Sequence, residues 1–206
     1  MNTSSQLFLS LIAVSLISLS AFGATTTIHP DEKKALQDIA NSLGKKNWNF
    51  DTDPCSNKNW FTELENSVTC NCSVAGDNFC HVVTMDLTGN QMSGNIPSEL
   101  GSLTHIRTLQ LSSNNFTREL PATLAKLTAL RDFRISDNQL SGKIPGFIQN
   151  WTNIDTLIVQ GSGLSGPIPS EISLLRNIIE LRISDLNGSE YAPLPQLSNM
   201  KLLTRL

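Results

Sequence analysis

The sequence repeats with a fixed period of 24 residues. Copies of the pattern apolar-x-x-apolar-x-apolar open at Ile106, Leu130, Ile154 and Ile178, and one more opens in phase at Val82. Such a period predicts one short strand per unit, with each unit stacked on the next. In a solenoid of this kind every repeat contacts only its neighbours, and the strands build an extended concave surface. The period therefore predicts an α/β solenoid with a parallel concave sheet.

Asparagine recurs in phase in the turn that follows each predicted strand. Asn90, Asn114 and Asn138 occupy this position in the first three units, and Ser162 and Leu186 replace them in the next two. An asparagine side chain can satisfy backbone groups of a turning chain. We therefore expect a ladder of asparagines that weakens toward the C-terminus.

A second string, Ser-Gly-x-Ile-Pro, follows the asparagine turn. It starts at Ser93, Ser141 and Ser165, and Thr117 begins a deviant copy. Glycine permits unusual backbone angles and proline stiffens the chain, so the string predicts an outer turn. Repeat five then carries one extra residue, and the sequence stops at Leu206, within a sixth copy of the pattern. This ending predicts the front part of a longer protein.

The first 23 residues differ from the rest. An apolar run over residues 7–16 precedes small residues around Gly23, and no charged residue occurs before Asp31. These features predict a signal peptide over residues 1–23. No later apolar segment is long enough to cross a bilayer. With 16% charged residues and a net charge of −3, the chain also lacks the basic excess that nucleic-acid binding needs.

Four cysteines, Cys55, Cys70, Cys72 and Cys80, lie close together outside the repeats. In a secreted chain they predict two disulfides rather than a four-cysteine zinc site. Three pairings are possible, and we favour Cys55–Cys70 with Cys72–Cys80.

Residues 31–43 carry the pattern of a short amphipathic helix. Its apolar stripe includes Leu36 and Ile39, and Gly44 follows where a left-handed cap is needed. We expect residues 24–81, including the helix, Trp48 and Trp60, to cover the N-terminal end of the solenoid. Residues 82–206 then form about five repeats, with a sixth cut off.

These motifs carry a family resemblance. The Ser-Gly-x-Ile-Pro string in a 24-residue unit resembles the plant-specific leucine-rich repeat, and residues 53–55, 70–72 and 80–83 resemble its N-terminal cap. With residues 181–188, the chain is similar to extracellular regions of plant leucine-rich-repeat receptor-like serine/threonine kinases. The resemblance implies a horseshoe with a helical, disulfide-bonded N-terminal cap. In the closest group, a malectin-like domain, one membrane helix and a cytoplasmic kinase follow the repeats, and the sequence shows none of these.

Alternate residues of each predicted strand point to the concave face and line up in columns. The candidate ligand-binding residues on this face are Gln110, Asp132, Arg134, Ile158, Glu180 and Arg182. Arginine can clasp a carboxylate, which suits a peptide terminus or an acidic side chain. The favoured alternative is that Arg134 pairs with Asp132 and Arg182 with Glu180, and that these exposed ion pairs do no more than neutralise each other.

Catalysis finds no support in the sequence. His29, His81 and His105 are scattered, and none stands at a triad or metal-site spacing. No phosphate-binding or kinase glycine loop occurs. We therefore expect no catalytic residue, no metal and no cofactor, and a structural position for His81 beside Cys80.

Four glycosylation sequons follow the predicted signal peptide, at Asn71, Asn115, Asn150 and Asn187. Asn115 and Asn150 are expected beyond the strands and away from the concave columns. Asn71 lies between two cysteines and is expected to remain unmodified.

The sequence thus favours an extracellular region that binds a peptide, glycan or protein ligand, a co-receptor ectodomain, or both. The expected location is the apoplast, or the plasma membrane for a full-length receptor. A secreted stand-alone repeat protein that inhibits a microbial cell-wall-degrading enzyme is the alternative.

Overall fold

The structure is a computed structural model that describes residues 27–56, 67–188 and 193–206. The predicted signal peptide and Trp60 lie outside the described residues. In the described part, one α-helix, α1 (Pro30–Ser42), precedes nine strands. These are β1 (Ser67–Asn71), β2 (His81–Asp86), β3 (Ser93–Asn95), β4 (Thr108–Gln110), β5 (Asn115–Arg118), β6 (Asp132–Arg134), β7 (Gln139–Leu140), β8 (Thr156–Gln160) and β9 (Glu180–Ser184). Four 3₁₀-helices complete the coils, at Ser98–Ser102, Ala122–Lys126, Gly146–Asn150 and Ser170–Leu174.

The predicted concave sheet has the order β1-β2-β4-β6-β8-β9. From β2 to β9 the strands are parallel, and the register pairs residues 24 positions apart, such as Thr108 with Asp132. The residues that open the pattern, Ile106, Leu130 and Ile154, are fully buried immediately before their strands. The period therefore becomes a stack of apolar layers, one layer per coil.

The sheet also contains a strand that the repeat pattern does not predict. Strand β1 pairs antiparallel with β2, with Ser67 opposite Asp86 and Asn71 opposite His81. An open sheet edge exposes unpaired backbone donors and acceptors, so native proteins cover such edges. Strand β1 covers the first edge of the solenoid in this way.

The Ser-Gly-x-Ile-Pro string, expected to form only an outer turn, contributes a second sheet of order β3-β5-β7. Its parallel pairing continues as bridges from Lys143 to Ser165 and from Ser165 to Asn187. The reason is that equivalent residues of adjacent coils lie within backbone hydrogen-bonding distance here as well as on the concave side. The correction affects one sequon, because Asn115 lies in β5, a strand of this second sheet, rather than beyond the strands.

The asparagine ladder is present. Asn138 is buried, its Oδ1 accepts a hydrogen bond from the Phe116 backbone N–H at 3.0 Å, and its Nδ2 donates to the Leu111 carbonyl at 3.0 Å. In the next coil, Ser162 Oγ accepts only from Leu164 N, at 3.3 Å. The ladder therefore weakens where the sequence predicts it, because a hydroxyl on one carbon cannot reach the adjacent coil.

The N-terminal cap also follows the prediction closely. Helix α1 buries Leu36 and Ile39, and Gly44 after it has a φ of 67°. Trp48 is buried in the same core. Both favoured disulfides, Cys55–Cys70 and Cys72–Cys80, are formed.

No helix in residues 27–56, 67–188 and 193–206 combines the length and apolarity needed to cross a bilayer.

Gly163 allows two coils to approach closely. Its φ is 88°, and a Cβ at this position would lie 2.4 Å from the Leu140 carbonyl oxygen of the preceding coil. Gly163→Ala should therefore lower the free energy of unfolding by about 3 kcal/mol, from left-handed strain and from the clash with backbone. Urea unfolding followed by circular dichroism measures the change.

Gly89→Ala is the matched control, since Gly89 has a φ of 74° but open space around the position of a Cβ. This variant should lose only about 1 kcal/mol, the cost of the strained φ alone. Equal losses in the two variants would contradict the close approach of the coils at Gly163.

Candidate functional site

The concave face carries the predicted columns in register. Asp86 pairs with Gln110, Gln110 with Arg134, Arg134 with Ile158, and Ile158 with Arg182. Adjacent parallel strands lie about 4.8 Å apart, so the two arginines stand about 10 Å apart on either side of half-buried Ile158. The structure thus brings the candidate residues of this column together on one open surface.

Arg134 is held by the carboxylate two residues before it. Its Nε donates to Asp132 Oδ1 at 2.9 Å and its Nη2 donates to Oδ2 at 3.0 Å. These hydrogen bonds raise the pKa of Arg134, and the negative charges of Asp132, Glu180 and Asp86 add to the rise against the opposing effect of burial. A guanidinium has five N–H donors, so the pair orients Arg134 and leaves donors for a ligand.

Arg182 forms the second predicted ion pair. Its Nη2 lies 2.8 Å from Glu180 Oε1, and Arg205 Nη1 lies 3.3 Å from Oε2 of the same carboxylate. The Glu180 side chain is only 8% exposed, whereas that of Arg182 is 46% exposed. The carboxylate therefore serves as a buried anchor, and the guanidinium is the group that a ligand can reach.

A column of hydroxyl groups borders the arginine column. Ser112 Oγ accepts from Ser136 N, Ser136 Oγ accepts from Gln160 N, and Gln160 Nε2 donates to Ser184 Oγ. These bonds hold successive coils together at the end of each strand. Their role is structural, since each hydroxyl is used by the neighbouring coil.

A second polar cluster lies between the cap and the first coils. His81 is 4% exposed; its Nδ1 lies 2.8 Å from Glu32 Oε1 and its Nε2 lies 2.8 Å from Asp77 Oδ2. Glu32 Oε2 accepts from the Val82 backbone N–H at 2.7 Å, and His105 Nδ1 lies 3.4 Å from Glu32 Oε1. Helix α1 is therefore attached to two successive coils through one buried carboxylate.

Charge interactions within this cluster shift two pKa values. Burial lowers the pKa of His81, but hydrogen bonds to Glu32 and then Asp77, together with their charges, raise it further, so the net shift is upward from 6.5. The hydrogen bond from His81 and the backbone N–H of Phe79 lower the pKa of Asp77. The chain Glu32–His81–Asp77 is thus a mutually stabilised arrangement of charges.

The sequence analysis missed this cluster, because it treated the histidines as scattered. His81 and His105 are 24 residues apart, which is one repeat period, so they occupy the same position in adjacent coils. Their ring centroids lie 3.7 Å apart. The period itself was the signal that could have placed them side by side, but nothing in the spacing places Glu32 there.

The sequons occupy different surroundings. Asn115 and Asn150 are exposed and lie outside the concave sheet, as expected. Asn187 is exposed, and its Nδ2 donates to the Gly163 carbonyl at 2.7 Å. Asn71 lies within β1, between the two disulfides, with its Oδ1 accepting from Ser73 N. Modification at each of the four remains a prediction.

Comparisons with known proteins agree with this geometry. The Leucine Rich Repeat family model matches residues 81–103, 105–127 and 129–151. A probable leucine-rich repeat receptor-like serine/threonine-protein kinase of Arabidopsis thaliana is 38% identical over 106 residues, which are 47% of this chain and 10% of that protein. A second such Arabidopsis kinase is 34% identical over 90 residues, 40% of this chain and 9% of its own length.

The chain is homologous to the extracellular regions of plant leucine-rich-repeat receptor-like kinases. The matched segments span only about a tenth of the length of these curated relatives. The homology therefore covers repeats and not a catalytic domain.

Solved structures show the same fold. The ectodomain of the receptor kinase SOBIR1 from Arabidopsis thaliana superposes with a TM-score of 0.68 over 87% of this chain and 92% of that one, at 21% identity. The structure of PEPR1-AtPEP1 gives 0.65 over 83% of this chain and 23% of that one, at 26% identity. The ectodomain of the Arabidopsis receptor kinase GASSHO1/SCHENGEN3, in complex with CASPARIAN STRIP INTEGRITY FACTOR 2, gives 0.60 over 85% and 23%, at 28% identity.

The buried carboxylate in the cap provides a test of the cluster. Glu32→Ala removes the partner of His81 and leaves the Val82 N–H unsatisfied, so it should lower the free energy of unfolding by about 3 kcal/mol. Asp31→Ala is the control, because the neighbouring Asp31 side chain is 92% exposed. Its loss should stay below about 1 kcal/mol, the worth of an acidic residue in a first helical turn. Similar losses in urea unfolding would contradict the role assigned to Glu32.

Proposed function

We propose that this chain is the ligand- or co-receptor-binding extracellular region of a plant receptor-like kinase. Recognition takes place on the concave sheet, and the chain itself catalyses nothing. The observation that carries the proposal is the open pair Arg134 and Arg182, one strand to each side of Ile158. The homology to receptor-kinase ectodomains supports it, as do the printed complexes of PEPR1 and GASSHO1/SCHENGEN3.

The chemistry of the stripe favours a peptide that carries a carboxylate next to an apolar side chain. A guanidinium binds a carboxylate through two parallel hydrogen bonds, and each arginine is already oriented by its own acidic neighbour. Ile158 offers apolar contact between the two cationic groups. Gln110 adds an amide beside Arg134, which suits a peptide backbone.

Placement outside the cell belongs to the same proposal. Two disulfides in a small cap require an oxidising compartment, in agreement with the predicted signal peptide. The full-length protein would then lie in the plasma membrane, with a membrane helix and a kinase after the repeats. The malectin-like domain of the closest group remains part of this proposal.

A peptide library displayed with free C-terminal carboxylates tests the face directly. The unsubstituted chain should select peptides, and Arg134→Gln or Arg182→Gln should weaken binding of those peptides by about 2 kcal/mol, or roughly thirtyfold. Binding is measured by isothermal titration calorimetry on synthetic peptides. C-terminal amidation of each peptide should cause a similar loss, because it removes the carboxylate.

Arg176→Gln is the matched control, since Arg176 is an exposed arginine that lies outside the concave sheet. It should bind peptides as the unsubstituted chain does. Peptides that bind equally well to the Arg134 and Arg182 variants would contradict the concave site.

The alternative of an enzyme inhibitor has its own test. The relatives reported above are receptor kinases, so they lend it no support. Tight binding of a fungal polygalacturonase by the purified chain would overturn the receptor proposal. A native transcript that continues from the repeats into a membrane helix and a kinase would instead exclude the stand-alone inhibitor.

A further inference from the structure

We propose that Glu32, His81 and His105 form a binding site for one divalent transition-metal ion of the zinc class. The site ties helix α1 to the first two coils. It is separate from the concave face, and it does not depend on the function proposed above.

The donor atoms converge in the manner that such an ion needs. Glu32 Oε1 lies 2.8 Å from His81 Nδ1 and 3.4 Å from His105 Nδ1, and the three donor atoms lie within 4.8 Å of one another. With metal–ligand bonds of about 2.0–2.1 Å, tetrahedral ligands stand about 3.3 Å apart. Two histidines and one glutamate are an established ligand set for zinc, with a fourth position open to water.

The groups behind the donors match those behind known metal ligands. His81 Nε2 lies 2.8 Å from Asp77 Oδ2, and the other Glu32 oxygen accepts the Val82 N–H. A carboxylate behind a ligating histidine fixes its tautomer and orients the ring. With Nε2–H donated to Asp77, the lone pair of His81 Nδ1 faces Glu32 Oε1.

A lone pair directed at an anionic oxygen needs a positive charge between the two atoms. One proton suffices for the pair His81 and Glu32, but His105 Nδ1 approaches the same oxygen and one proton cannot serve three donors. A divalent ion can. It also balances the charge, because two neutral imidazoles, Glu32 and Asp77 carry two negative charges in total.

The site has an entry route and a reason to be selective. The Glu32 and His81 side chains are buried, whereas the His105 side chain is 42% exposed and opens the cluster to solvent. Imidazole and carboxylate together suit zinc and its neighbours in the transition series, and a site with two nitrogens does not suit calcium or magnesium.

The test uses the full chain, secreted from eukaryotic cells with its disulfides formed, on an affinity tag without histidine. After treatment with a chelator, Zn²⁺ should bind with a stoichiometry of one per chain in calorimetry and raise the Tm. Co²⁺ should give the visible absorption of a nitrogen- and oxygen-ligated ion, and Ca²⁺ should do neither.

Two substitutions and one control separate ligation from structure. His105→Ala removes an exposed ligand without disturbing the buried pair, and it should abolish the Zn²⁺-dependent rise in Tm. Asp77→Asn should weaken Zn²⁺ affinity about 10- to 100-fold, as loss of such a supporting carboxylate does elsewhere. His29→Asn should bind normally, because His29 stacks near His81 and caps α1 but is not a proposed ligand.

Absence of saturable Zn²⁺ binding by the unsubstituted chain would overturn the proposal and leave a network of protons and carboxylates only. Binding that survives in His105→Ala would also overturn it. Circular dichroism of the metal-free variants verifies that each one is folded, so that a loss of binding reports the missing ligand.

Discussion

The backbone hydrogen bonds between coils are the constraint on which the rest of this structure depends. Leu87 N donates to the Gln110 carbonyl, Leu111 N to that of Arg134, and Ile135 N to that of Ile158. A buried backbone group without a partner is costly, so each coil must follow the path of the previous one closely enough to form these bonds. The 24-residue period is the sequence record of that requirement. Where the turn leaves groups unpaired, asparagine side chains supply the missing partners.

The same constraint places the chemistry. Because every coil advances by one strand spacing, residues 24 positions apart become neighbours about 4.8 Å apart. Arg134, Ile158 and Arg182 form a stripe on the concave face for this reason. His81 and His105 meet at the junction with the cap for the same reason. The repeat thus turns a linear period into two different polar sites, one open and one buried.

Much of this could be predicted, and particular residues show why. The strands, the asparagine ladder, the buried helix face and the concave columns all follow from local periodicity, and the structure confirms each of them. The second sheet was missed because a Ser-Gly-x-Ile-Pro string has no alternation of apolar residues, and its pairing arises only when coils stack. Strand β1 was missed because it pairs antiparallel with β2 and stands outside the repeat. Glu32 was assigned to the exposed first turn of a helix, yet it is buried, because His81 and Val82 provide its hydrogen-bond partners from residues about 50 positions away.

By itself the sequence determined the solenoid, its number of coils and the order of residues along the concave face, because these depend on spacing along one chain. The tertiary structure alone decided which charges face a ligand and which are used internally. Glu180 and Arg182 are two residues apart in the same strand, yet the first is a buried anchor between two arginines and the second is open to solvent. It also decided that helix α1 brings Glu32 to the two stacked histidines. No period links the cap to the repeats, so only the docking of one on the other could create that cluster.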